Sequence, residues 1–235
     1  MVTKQFSRRA VLQGIAGGGV VASMGSTFTR AHAFSVYEDQ PWFFLTNDEA
    51  RWLGAICDVF IPEDDYPSAS QAGVVDFIDL QLISPYGEGE RLYLDGPFPT
   101  GIATQGYQLP YTPAELIRRG IEAARAETDL AQLDPQERVK WVDDLAERDD
   151  RFGEVPATAL FSELLSLTNQ GYFADPIYMG NHDYAGWKMV GFPGAHVYFM
   201  SFVDQPTPRG APPPMGIAHD ASNMPRAPRR IPEGS

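Results

Sequence analysis

The sequence predicts an all-α fold, an irregular bundle of about five helices with long aromatic, glycine- and proline-rich loops and an extended C-terminal arm. Three observations carry that expectation. Helix start signals recur through the middle of the chain, each followed by apolar residues at three- and four-residue spacing. Strand-type alternation is scarce. Beyond residue 33 lie about 200 residues, enough for one domain with a proper core.

The chain opens on Lys4, Arg8 and Arg9 without an acid, then runs through a mildly apolar stretch, Ala10 to Phe28, loosened by Gly14, Gly17, Gly18, Gly19 and Gly25. Ala31-His32-Ala33 has the small-x-small pattern of a signal-peptidase site. Ser7-Arg8-Arg9-Ala10-Val11-Leu12 reads as a twin-arginine export address, a route that carries proteins already folded. Arg8, Arg9, Ala31 and Ala33 are therefore the export-signal residues. An N-terminal membrane anchor is the weaker reading, because the run falls short of the roughly 20 apolar residues a span needs. Gly17-Gly18-Gly19-Val20-Val21-Ala22 fits a dinucleotide fingerprint by letter only, since no βαβ context surrounds it. The organisation expected is a signal peptide over 1–33, one helical domain over 34–204 and a proline-rich tail over 205–235. Loss of 1–33 removes four cations and no acid, so the net charge of −13 becomes 14 minus 31, or −17. Such a body repels a phosphate backbone and argues against nucleic acid as a partner. The single cysteine, Cys57, excludes an internal disulfide.

Thr46-Asn47-Asp48-Glu49 is a capping box in which the threonine serves the third helical amide and the glutamate reaches back. It opens a helix with Ala50, Leu53, Ile56, Cys57 and Phe60 on one face, ended by Pro62. A second spans Ala72 to Ile83 with Val74, Phe77, Ile78 and Leu82 inward. Thr112-Pro113-Ala114-Glu115 is another capping box with proline in the first turn, leading into Leu116, Ile117, Gly120, Ile121 and Ala124. Asp134-Pro135-Gln136-Glu137 starts a fourth helix, with Val139, Val142, Leu145 and Ala146 expected inward. Pro156 starts a fifth through Leu160, Leu164, Leu167 and Thr168.

Two irregular stretches stand out. The link from Tyr86 to Tyr111 holds Tyr93, Phe98, Tyr107 and Tyr111 with five glycines and three prolines. It is too long and too aromatic for an idle connection. Asp175 to Ala195 packs Ile177, Tyr178, Tyr184, Trp187, Met189, Val190 and Phe192 among four glycines and two prolines. That payload cannot stay in water, and its breakers forbid a long helix or strand. It is either a buried brace or a loop shaped to another protein; the reading taken is a docking loop on an accessory subunit. The tail, with eight of the 20 prolines, is net positive on an acidic body. It reads as a disordered terminus or as an arm along a partner.

Enzyme constellations are mostly missing: there is no C-x-x-C, H-E-x-x-H, G-x-S-x-G or P-loop. Cys57 falls on a buried helix face and reads as structural. His182-Asp183 is the one acid–base candidate, with His196 nearby, but no nucleophile accompanies it. Glu63, Asp64 and Asp65 lack calcium-loop spacing and read as a solvated turn. No catalytic, cofactor-binding or metal residue is assigned in this chain.

Asp175-Pro176-Ile177-Tyr178 with Gly180-Asn181, then Gly186-Trp187-Lys188 and Gly191-Phe192-Pro193-Gly194, resembles the signature of the gluconate 2-dehydrogenase subunit 3 family. Gly96-Pro97, Gln105 to Leu109, Thr112 to Leu116 and Ile61-Pro62-Glu63-Asp64 resemble it too, as does the leader. Met179 and His182 stand where that pattern has a glycine and often an arginine. The resemblance implies a non-catalytic small subunit of a membrane-associated, FAD-dependent dehydrogenase acting on a sugar, sugar acid or alditol. FAD would sit in a GMC-type catalytic large subunit, matured with this chain's help and carried with it through the twin-arginine (Tat) translocase to the periplasm. In three-subunit versions a multihaem cytochrome c subunit, holding haem c, takes the electrons. The partner interface implied comprises Tyr107, Asp175, Pro176, Tyr178, Asn181, Tyr184, Trp187, Lys188, Phe192 and Pro193. Two other readings remain: an independent exported enzyme using His182 and Asp183, and a structural periplasmic binding protein.

Overall fold

The cap signals act where they stand in the sequence. In the computed structural model, which describes residues 42–99, 108–195 and 213–217, Thr46 and Glu49 exchange hydrogen bonds at the start of α1 (Asn47–Phe60). Thr112 and Glu115 do the same at α3 (Pro113–Glu127), as do Asp134 and Glu137 at α4 (Pro135–Glu147). Each box satisfies amides that the first turn leaves without an intrahelical partner. α2 (Val74–Leu82) starts two residues later than expected, because Gly73 takes a left-handed conformation at φ 80° and Ala72 turns its carbonyl to the His182 amide.

A two-residue antiparallel hairpin, β1 (Arg151–Phe152) and β2 (Val155–Pro156), pairs Phe152 with Val155 and leads straight into α5 (Ala157–Phe173). α5 is the axis of the bundle, packed against α1, α2, α3, α4 and the short α6 (Ala185–Val190). The described residues thus form an all-α bundle with a minimal hairpin. Its core joins Trp52, Leu53 and Ile56 of α1 to Ile78, Leu116, Ile117, Ile121, Leu145, Leu160 and Leu164. Burial of each such side chain contributes about 1.5–3 kcal/mol. An edge-to-face pair of Trp52 and Trp141 at 5.9 Å, with Trp141 stacked on Phe152 at 6.1 Å, seals the hairpin onto α1.

One predicted face is corrected. Val139 is an exposed hydrophobic and Ala146 is exposed as well, while Val142 and Leu145 are buried. The stripe of α4 is Arg138, Trp141, Val142 and Leu145, one position round from the one expected. Trp141 draws the helix towards Trp52, and the Arg138 guanidinium donates to the Leu130 and Ala131 carbonyls.

At the other end, Asp79 gathers the entering chain. Its buried carboxylate accepts from the amides of Phe43, Phe44 and Leu45 at 2.8–2.9 Å. Arg118 stacks its guanidinium on the Phe44 ring at 4.0 Å, donates to the Phe44 carbonyl and pairs with the buried Glu49 at 2.6 Å. Arg8, Arg9, Ala31, Ala33 and Tyr107, and the tail apart from 213–217, lie outside the described residues.

Candidate functional site

α5 runs out at Phe173, and its last carbonyls need donors that the helix itself cannot supply. The loop that follows provides them. Asn181, fully buried, donates from Nδ2 to the Ala174 carbonyl at 2.7 Å and accepts the Gly186 amide on Oδ1 at 2.8 Å. The Trp187 indole donates to the Phe173 carbonyl at 2.8 Å. One asparagine and one tryptophan therefore finish α5 and start α6. The approach is close enough to demand glycine. A Cβ on Gly180 would stand 2.2 Å from the Gly171 carbonyl oxygen, and one on Gly186 2.1 Å from that of Tyr172.

Between Pro176 and Tyr184 the backbone makes two 3-10 turns, Pro176–Tyr178 and His182–Tyr184. The non-glycine residues with positive φ among those described all fall here: Met179 at 81°, Asn181 at 52°, Asp183 at 53° and Tyr184 at 57°. Each such residue costs about 1–3 kcal/mol and persists only where its surroundings over-determine it. Here those surroundings are the Asn181 bracket and a satellite aromatic cluster. Tyr184 stacks on Trp187 at 5.3 Å, and Phe192 meets the edge of Trp187 at 5.0 Å.

This changes which residues look outward. The sequence reading exposed Tyr184 and Trp187 together with Phe192; in the structure Tyr184 is only 3% and Trp187 6% accessible, and Asn181 is sealed. These three brace the loop from inside, because the end of α5 claims the polar groups of Asn181 and Trp187. Asp175, Pro176 and Pro193 are half-buried, and Lys188 is exposed. Tyr178 and Phe192 are exposed, as are Phe173, Ile177 and Val190 of the same stretch of chain. Phe192 is 47% and Val190 60% accessible. The loop is therefore a brace on one side and an apolar edge on the other.

The catalytic candidates are placed less favourably. The Nε2 edge of His182 fills the space that a Cβ on Gly73 would need, 2.3 Å away, while Asp183 is exposed. Cys57 is buried against the Thr168 hydroxyl at 3.2 Å, and burial pushes its thiol up to about 12, far from a nucleophile's range. Glu63, Asp64 and Asp65 are exposed in a turn where Asp64 accepts the Tyr66 amide. In the other aromatic link Tyr93 is well exposed, and Tyr111 donates to Glu154 at 3.2 Å.

What sequence reasoning missed is a second strand of chain on this loop. Residues 213–217 return to it, and Met215 forms an isolated parallel bridge with Gly194. Nothing local to Met215 signals that pairing.

A family model described as gluconate 2-dehydrogenase subunit 3 matches residues 47–194, from the first turn of α1 to the glycine that bridges Met215. The chain belongs to the gluconate 2-dehydrogenase subunit 3 family. Neither a curated protein nor a solved structure gives a match to it. The family's span contains both the helical body and the braced loop, and its name makes the chain a subunit-3-like protein of a multi-subunit dehydrogenase.

Proposed function

We propose that this chain is the non-catalytic small subunit of a periplasmic, FAD-dependent dehydrogenase acting on a sugar, sugar acid or alditol. In this role it supports maturation of a GMC-type catalytic subunit and its co-export by the twin-arginine route. The observation that carries the reading is the apolar edge of Phe173, Ile177, Tyr178, Val190 and Phe192, set on a loop held rigid from within, in a chain of a subunit family. Clustered exposed apolar groups mark an interaction surface. A pre-organised surface loses little freedom on binding. The flavin and its redox chemistry belong to the large subunit, and a multihaem cytochrome c, where present, receives the electrons. This chain's own residues hold a shape.

Co-expression with the neighbouring flavoprotein reading frame, followed by purification through a tag on this chain, tests the reading. A yellow, flavin-bearing protein should co-elute. Ile177→Asp with Val190→Asp, both exposed, should reduce that yield tenfold or more without altering the chain's own Tm. A chain that stays a well-behaved monomer and captures no flavoprotein would overturn the proposal.

A further inference from the structure

Residues 213–217 lie beyond the family's span, yet they are tied to the braced loop at both of its ends. At the loop's far end the Ala195 amide donates to the Met215 carbonyl at 2.7 Å, and the Met215 amide to that of Pro193 at 3.1 Å. In the middle, the Gly216 amide donates to the Tyr184 hydroxyl at 3.0 Å. At the near end, the Ile217 amide donates to Asp175 Oδ2 at 2.7 Å, while Oδ1 of the same carboxylate holds the Ile177 amide at 3.0 Å. Asp175 thus joins the start of the loop to the returning chain.

The fit is steric as well as polar. A Cβ on Gly194 would stand 2.1 Å from the Met215 carbonyl oxygen, and one on Gly216 2.9 Å from Asp175 Oδ1. Gly216 is buried, Pro214 and Met215 are half-buried, and Pro213 and Ile217 are exposed, so the segment holds by backbone hydrogen bonds and partial apolar burial, without a fully buried large side chain. Segments of that kind open at far lower free energy than a core helix. Ile217, 63% accessible, is held by its amide on the same Asp175 carboxylate that holds the amide of the exposed Ile177.

We propose that Pro213–Ile217 is a separable clasp that completes the docking face for the catalytic subunit, fixing the loop's two ends together and contributing Ile217 to the contact. The inference rests on the function proposed above and adds its control: the face is competent when the clasp is closed and loosened when it opens.

The test compares the tagged full-length chain, a chain ending after Pro212, and full-length Gly216→Val, each co-expressed with the flavoprotein. Amide exchange is measured on each chain alone. In both variants the α1 and α5 amides should keep their protection, while those of Ile177 and Ala195 exchange at least tenfold faster. Flavoprotein capture should fall tenfold or more. Capture by Gly216→Val equal to that of the full-length chain, with the Ile177 and Ala195 amides exposed, would overturn the clasp and leave the subunit assignment standing. Unchanged exchange at those two amides would overturn it as well. No capture by the full-length chain would remove the subunit assignment, and the clasp's docking role with it.

Discussion

Asn181 holds the loop from within. It joins the end of α5 to the start of α6 through two hydrogen bonds, one partly and one fully buried. Asn181→Ala leaves a partly buried carbonyl and a buried amide without their partner and should cost about 1–3 kcal/mol, read by denaturant unfolding. Asn181→Asp should not rescue it, because the carboxylate cannot donate to Ala174. Two positions away, Met179 holds a φ of 81° that suits glycine. Met179→Gly should stabilise the chain by about 0.5–1 kcal/mol, visible as a higher Tm. The resemblance drawn from the sequence already placed a glycine there in the family pattern. What the sequence did not disclose was which way the loop's large side chains turn. Trp187 and Phe192 are both aromatic residues among glycines, and only the unmet carbonyl of Phe173 decides that the first goes inward.

At the scale of elements, the helices were legible because their starts are written locally. Thr46 with Glu49, Thr112 with Glu115 and Asp134 with Glu137 each form a closed box within four residues. Faces are less local. On α4 a stripe through Val139 and one through Trp141 fit the helical repeat equally well, and contact with Trp52 on another helix selects the second. Val139→Lys and Ala146→Lys should therefore each change stability by less than about 0.5 kcal/mol, whereas Leu145→Ala should cost about 2–5 kcal/mol. Chemical denaturation of the three variants checks the contrast. The return of Met215 to Gly194 was not legible at all, since its bonds are backbone to backbone and the partners lie far apart in the chain.

For the molecule as a whole, pH acts on the bundle through Glu163 as well as through its surface acids. Burial lifts the Glu163 carboxyl above the ordinary glutamate range, and its Oε1 has no hydrogen-bond partner among the described residues. A raised folded-state pKa means that the folded chain binds more protons between the two values, so stability is lost as pH climbs through that window. Glu163→Gln should raise Tm near pH 7, and the gain should shrink as the pH falls towards about 4. Calorimetric scans at both ends of that range decide it. The staple at Asp79 bears on a different kind of stress. Three amides seized by one buried carboxylate, with Arg118 clamped over Phe44, stand between α1 and whatever is attached before Trp42. Disturbance of the chain at Trp42 to Leu45 therefore meets these hydrogen bonds before it reaches the first turn of α1, and Asp79→Asn should loosen that entry first.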